Sequence, residues 1–300
     1  MMMGKPHWHV LGAGAIGCLY AQALQRSGCR ATLVMRSGTP AHPVSVIVQE
    51  DDRRLEQQLP TITPESDAAI SHLLVTTKAY DVRAAVAGVA HLLADRCAVL
   101  LLVNGLGLAE QLLQDRPGLD VYCGTTTEGA YTIAAHHIRH AGRGETRIGQ
   151  AGLATPPGWF AQWQRAITPC VWDPQIADAL WSKLAVNCVI NPLTALHRCR
   201  NGELASRSVL AREVDTLCDE VARVSRAAGY AAIADSLPAT VAAVIAGTAD
   251  NRSSMLQDVE SGRPTEIDYI TGHLLKVAAQ HHIAAPHSQS LMERIKHRAT

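Results

Sequence analysis

Hydrophobic positions come in short blocks through the first half of the chain and at helical spacing through the second. Residues 7–11 (HWHVL) predict a short buried strand, and LYAQALQRSG after it predicts an amphipathic helix ending at Gly28. Residues 30–35 predict a second strand, closed by Arg36, Ser37 and Gly38, which completes a βαβ unit. Further apolar blocks predict strands at 44–49, 71–76, 98–103 and 121–127, with helices at 81–94 and 106–114 between them. Apolar strands alternating with helices predict a parallel sheet covered on both faces. From 130 to 149 the alternation weakens, and an antiparallel excursion at the sheet edge is expected. A loop at 154–158, a helix at 159–166 and a strand at 169–172 close this first half. After Asp173-Pro174 the pattern is helical to the end: 175–196, 203–229, 236–260, 265–281 and a short terminal helix. The expected division is 1–173 and 174–300.

The helix read over 180–196 (LWSKLAVNCVINPLTAL) carries three polar residues, Lys183, Asn187 and Asn191, at i, i+4 and i+8. At about 100° per residue they fall within roughly 80° of one another, on a helix otherwise fit for burial. Unless each polar group finds a partner, such burial is costly. Two readings stand: a narrow wet face, or a pocket wall offering one ammonium and two amides to a polar ligand.

Composition narrows the class. The chain has 300 residues, 47% hydrophobic and 18% charged, which fits a globular protein of two domains. Lys+Arg and Asp+Glu both number 27, so neither nucleic acid nor an anionic membrane surface is an expected partner. No apolar run approaches the ~20 residues that span a bilayer. The N-terminal segment has no signal-peptide core followed by a cleavage site, so a cytoplasmic location is expected. The eight cysteines form no CxxC pair and are expected as buried thiols. The doublets His136-His137 and His281-His282 lack a ligand pattern around them; surface positions and no metal are expected.

Gly12-Ala13-Gly14-Ala15-Ile16-Gly17 spells G-x-G-x-x-G between a strand and a helix. In that setting the first glycine permits a tight turn and the second lets backbone approach a pyrophosphate. The third allows close helix–strand packing, and the helix N-terminus offers unpaired N–H groups. Arg36 stands nineteen positions after Gly17, where an NAD-binding chain would carry a carboxylate. An arginine there suits a 2′-phosphate and favours NADP(H); a solvated Arg is the alternative. Lys78 follows a strand at the carboxyl edge of the sheet, as a second cation near phosphates or as an ordinary loop lysine. Asn104, after the strand at 98–103, reads as a ligand-holding amide or a plain turn.

Nearer the C-terminus, Asn251 and Ser254 are three apart in a segment read as helix, so they would share a face. Thr265 and Asp268 form a possible capping box, which puts Glu266 in the first turn of the next helix. There it is either a dipole-complementing charge or a site residue, and spacing does not choose. Asp258 and Glu260 are expected in solvent.

These blocks together resemble the 2-dehydropantoate 2-reductase (ketopantoate reductase) family over nearly the whole chain. The specific stretches are GAGAIG (12–17), TTKAYDV (76–82), NGLG (104–107), GTTTEGA (124–130), WSKLAVNCVINPLTAL (181–196), NGEL (201–204) and SSMLQDVESGRPTEIDYITG (253–272). The resemblance implies an α/β fold: an N-terminal Rossmann-type domain, an all-α C-terminal domain, and the active site in the cleft between them. It implies NADPH-dependent reduction of 2-dehydropantoate to (R)-pantoate, on the path to pantothenate and coenzyme A. By matching motif, Lys183 resembles the catalytic lysine and Glu266 the glutamate that contacts the reacting ligands. Asn104, Asn187, Asn191, Asn251 and Ser254 resemble the substrate-binding set. Gly12 to Gly17, Arg36, Lys78, Asn104, Ala130 and Glu266 would meet the cofactor, Ala130 through its backbone. Val103 departs from the family, where a polar residue commonly precedes Asn-Gly, and Arg252 is a second local variation. Other readings are a reductase of another 2-keto acid on the same scaffold, and a non-catalytic NADPH sensor. The expected partner is a small keto acid, and the chain is expected as a monomer or homodimer.

Overall fold

The computed structural model describes residues 6–51 and 53–298. The Met1–Lys5 run, part of the segment read for a leader, lies outside them. In chain order the strands are β1 (His7–Leu11), β2 (Arg30–Val34), β3 (Val44–Gln49), β4 (Arg54–Leu59), β5 (Thr61–Ile62), β6 (Ile70–Val75), β7 (Leu93–Leu101), β8 (Asp120–Thr126), β9 (Gly129–Ala134), β10 (His137–Gly142), β11 (Thr146–Gly149) and β12 (Cys170–Trp172). Helices α1 (Ala15–Arg26), α2 (Val82–Gly88), α3 (Leu108–Asp115) and α4 (Phe160–Ala166) lie among them. Seven more follow: α5 (Ile176–His197), α6 (Glu203–Ser206), α7 (Ser208–Ala227), α8 (Ala231–Gly247), α9 (Ser254–Glu260), α10 (Thr271–Gln280) and α11 (Pro286–Arg298). The chain divides into two compact units, residues 1–103 with 108–176, and residues 104–107 with 177–300.

The first unit is built on an eight-stranded sheet of order β12-β11-β8-β7-β6-β1-β2-β5. All neighbours are parallel except β8 and β11, which run antiparallel. β1 lies between β2 and β6, so the strand order reverses at β1, as in a Rossmann-type sheet. Trp8, Val10, Leu33, Leu74 and Leu100 are buried in its core with Tyr20, Leu24 and Trp163 from α1 and α4. Among the aromatic pairs, Trp8 meets Trp159 and Trp163 edge-on, with ring centroids 5.1 Å apart in each case.

The block at 44–49 is a strand, but it leaves the parallel sheet. It belongs to a separate four-stranded sheet, β4-β3-β10-β9. The 130–149 excursion therefore does not decorate the main sheet's edge. Its hairpin β9–β10 joins β3, and only β11 returns to the main sheet. Buried Gln22 on α1 anchors this second sheet, its side-chain amide donating to the carbonyls of Val46 (3.1 Å) and Leu55 (2.9 Å). The helix expected at 81–94 is shorter: β7 already begins at Leu93.

The second unit is helical. α5 packs Trp181, Leu184, Val189 and Leu193 against α7 (Leu217, Val221) and α8 (Leu237, Val241) in one core. Three helices differ from expectation. The 203–229 segment breaks at Arg207, and the 236–260 segment breaks between Gly247 and Ser254. The helix expected from 265 begins at Thr271, because residues 266–270 form a tight turn in which the N–H groups of Tyr269 and Ile270 both donate to the Glu266 carbonyl. The Thr265–Asp268 capping box is therefore absent.

Candidate active site and nucleotide loop

The glycine loop of the first unit shows what each glycine is for. Gly12 has φ +113°, and a Cβ there would lie 2.7 Å from the Thr77 nitrogen. A Cβ on Gly17 would lie 1.9 Å from the Gly12 carbonyl oxygen and 2.6 Å from the Thr76 hydroxyl. That hydroxyl in turn donates to the Gly12 carbonyl (2.7 Å), which stitches the loop to the end of β6. Around Gly14 the space is open: nothing lies within 4 Å of a Cβ placed there. α1 starts directly after it with no side-chain cap and no acidic residue in its first turn. A tight turn, a close helix and an open middle glycine at an uncapped helix N-terminus fit a dinucleotide diphosphate.

The neighbouring cations sit at the same carboxyl edge of parallel strands. Arg36 is exposed two residues after β2, and Lys78 is half-buried three residues after β6. Ser37, next to Arg36, donates a hydrogen bond to Glu65, so a carboxylate does stand near this end of β2 although none is near in sequence. Ala130 is half-buried at the start of β9, just beyond the carboxyl end of β8.

The second unit gathers Lys183, Glu266 and Asn104. Lys183 is half-buried on α5, and Glu266 is buried in its turn. Desolvation pushes the Lys183 ammonium down to about 8, and the nearby Glu266 carboxylate opposes that fall. The Asn104 amide donates to Glu266 Oε2 at 3.1 Å. Its loop is held close because Gly105, at φ +86°, leaves room for the Tyr269 backbone; a Cβ there would lie 2.6 Å from the Tyr269 oxygen. On α5, Asn187 is half-buried and Asn191 is buried. A lysine whose pKa is pushed down to about 8, beside a carboxylate that also accepts from an amide, can give a proton to an oxygen that gains charge.

The amino-acid sequences of known proteins decide the family. The ketopantoate reductase PanE/ApbA model matches residues 8–152, and the ketopantoate reductase PanE/ApbA C-terminal model matches residues 175–299. The chain belongs to the ketopantoate reductase family. The 2-dehydropantoate 2-reductase of Salmonella typhi is 40% identical over 293 residues, 96% of this chain and 93% of that one. The Vibrio cholerae protein of the same name is 36% identical over 289 residues, 96% of each chain. In fold, the chain is similar to the PanE/ApbA family ketopantoate reductase of Ralstonia eutropha JMP134, with a TM-score of 0.85 at 23% identity over 98% of both chains.

Within this ketopantoate reductase fold several residues lie elsewhere than their local pattern implies. Asn251 and Ser254 do not share a helical face. Asn251 is in the loop before α9, and Ser254 is the first residue of that helix; both are exposed. Ser253 is the buried member: its hydroxyl caps α9 through the Leu256 N–H (3.1 Å) and accepts from Thr194 on α5 (2.7 Å). Asp258 is buried rather than solvated and pairs with Arg263 at 3.1 Å. Arg252 pairs with Glu260. Local spacing does not single out Asn201, which the fold buries. Its amide donates to the Thr248 hydroxyl (2.8 Å), its N–H donates to the Asn251 carbonyl, and its Oδ1 has no partner among the described residues. The NGEL block that contains it was the signal available.

All eight cysteines are free thiols, with Cys123 half-buried and the others buried. His281 and His282 are exposed, whereas His136 and His137 are half-buried. Among the described residues no group of three or more His, Cys, Asp or Glu is placed to hold a metal ion, and no helix is long and apolar enough to cross a membrane.

Proposed function

We propose that this chain reduces 2-dehydropantoate to (R)-pantoate with NADPH, on the path to pantothenate and coenzyme A. The observation that carries the reading is Lys183: a desolvated lysine beside Glu266, in a chain of this family. Gly12 to Gly17, including Ala13, Ala15 and Ile16, would hold the diphosphate of the cofactor. Arg36 and Lys78 would bind its phosphates, and Asn104, Ala130 and Glu266 would meet its remaining groups. When bound, NADPH supplies a hydride to the ketone carbon of the keto acid.

Protonated Lys183 stabilises the charge that grows on the ketone oxygen and then donates a proton to it. Asn187 and Asn191 hold substrate oxygens from the same helix. Asn104, Asn251 and Ser254 donate to the carboxylate and hydroxyl of the keto acid. Glu266 accepts from a ligand hydroxyl and keeps the Lys183 amine protonated over a wider pH range. In this reading the enzyme is cytoplasmic, a monomer or homodimer, and its partner is a free small keto acid rather than nucleic acid or a membrane.

The test is NADPH oxidation with a panel of 2-keto acids. Ketopantoate is expected to give the largest kcat/KM. A larger value for another keto acid would reassign the substrate, and no turnover with any would turn the chain into a nucleotide-binding protein without chemistry.

A further inference from the structure

His140 on β10 lies between two carboxylates. Its Nε2 is 2.5 Å from Glu128 Oε2, and its Nδ1 is 3.3 Å from Glu50 Oε1. The His140 and Glu128 side chains each keep only 8% of their surface exposed. Glu50 sits just after β3 and is also met by Arg143 at 3.3 Å. Arg139 holds the Glu50 carbonyl (3.3 Å) and the Asp51 carboxylate (2.6 Å) beside it. The ring therefore has a carboxylate partner at each of its two nitrogens, one from either side of the sheet segment it joins. Buried polar groups are kept where each finds a hydrogen-bond partner.

The cluster bears on one short segment. Glu128 lies in the loop leaving the carboxyl end of parallel strand β8, the edge of the sheet that also carries Gly12–Gly17 and Lys78. Across the β9–β10 ladder, His140 stands directly opposite Ala130. His140 therefore meets the segment 128–130 twice, by its ring at Glu128 and as the cross-strand neighbour of Ala130. The Glu128 N–H adds a bond to the Thr126 hydroxyl (3.1 Å). Thr126 itself accepts from Tyr20 on α1 (2.9 Å), the helix that begins at the glycine loop.

We propose that His140 is a positioning residue for the nucleotide site: through Glu128 it sets segment 128–130 at the carboxyl edge and so governs affinity for NADPH, leaving the chemical step alone. The inference rests on the NADPH reading of the glycine loop.

The test compares wild type with His140→Ala, Glu128→Gln and the double variant in the full-length protein. NADPH Kd is read by fluorescence titration, and kcat and NADPH KM by ketopantoate turnover. Each single variant is expected to raise Kd and KM about tenfold, as loss of a charge-assisted hydrogen bond does, with kcat at saturating cofactor within about twofold. The double variant is expected to be no worse than the worse single, because both act through one contact. His140→Gln, which keeps a donor for Glu128, is expected to recover part of the loss. Should His140→Ala not fold, the isosteric Glu128→Gln carries the comparison. Unchanged Kd and KM in a folded Glu128→Gln, or a fall in kcat at constant KM, overturns the inference. Wild-type protein that does not bind NADPH overturns the cofactor reading and this inference with it.

Discussion

The side-chain amide of Asn104 donates to Glu266 across 3.1 Å, and the same carboxylate faces the Lys183 amine strongly enough to oppose its loss of charge. Two residues remote in sequence, Asn104 and Lys183, thus share the carboxylate of a third. The amide takes part of its hydrogen-bonding capacity, and the ammonium benefits from its charge.

Loss of the amine should separate chemistry from binding. Lys183→Ala is expected to lower kcat by at least about 100-fold, the usual contribution of a positioned general acid, while NADPH affinity and Tm stay near wild type. Steady-state kinetics with a thermal melt check this, and near-wild-type turnover would remove the lysine from the mechanism.

The pH profile follows from the same group. Burial lowers the Lys183 pKa to about 8, so the active ammonium is lost as pH rises through that value, and kcat should fall on the alkaline side. Glu266 raises that pKa, so Glu266→Gln should move the alkaline limb to lower pH. A limb that stays in place in the variant would show that another group controls it.

Two glycines in one loop should fail differently. Gly17→Ala drives a methyl to 1.9 Å from the Gly12 oxygen, so a lowered Tm and poor folding are expected. At Gly14 there is open space and φ is −80°, so Gly14→Ala should keep its Tm yet raise NADPH KM by filling the approach to the diphosphate. Equal Tm losses in the two variants would count against this division.

Cofactor choice should turn on Arg36. Arg36→Asp is expected to weaken NADPH by about tenfold or more, roughly 1.4 kcal/mol, and NADH much less. Parallel titrations with both nucleotides measure it; equal losses would mean that Arg36 does not read the 2′-phosphate.

One acid-sensitive joint lies away from the site. Buried Glu220 on α7 accepts from the N–H groups of His287 (2.9 Å) and Ser288 (2.8 Å) and from the Ser288 hydroxyl, capping α11 from another helix. Burial works against the carboxylate, but those bonds outweigh it and hold its pKa below the ordinary value of 4.5. Its stabilisation is therefore present above the unfolded-state value and is lost as pH falls through the lower folded value. Glu220→Ala should cost about 2–4 kcal/mol near neutral pH, with the gap to wild type closing in acid. Denaturant melts at several pH values test this.

Local order was legible where local sequence decides it. The strand–glycine loop–helix at 7–28 depends on chain neighbours, on apolar blocks and on residues without Cβ, and its pattern can be read directly. So can the polar stripe on α5, since helical spacing alone places Lys183, Asn187 and Asn191 on one side. Which sheet a strand joins is different. Residues 44–49 have the alternation of any half-buried strand, and their partners in β4 and β10 are chosen by long-range pairing and by Gln22 beneath them.

What the sequence by itself determined, then, is the order of elements, the glycine turn and the family motifs, because these rest on short-range sterics and periodicity. Only the tertiary structure decided that Glu266 sits in a turn beside Lys183, that Ser253 rather than Ser254 is the buried cap, and that His140 stands between Glu50 and Glu128. Charge and hydrogen-bond partners across such separations are set by packing, and no local period encodes them.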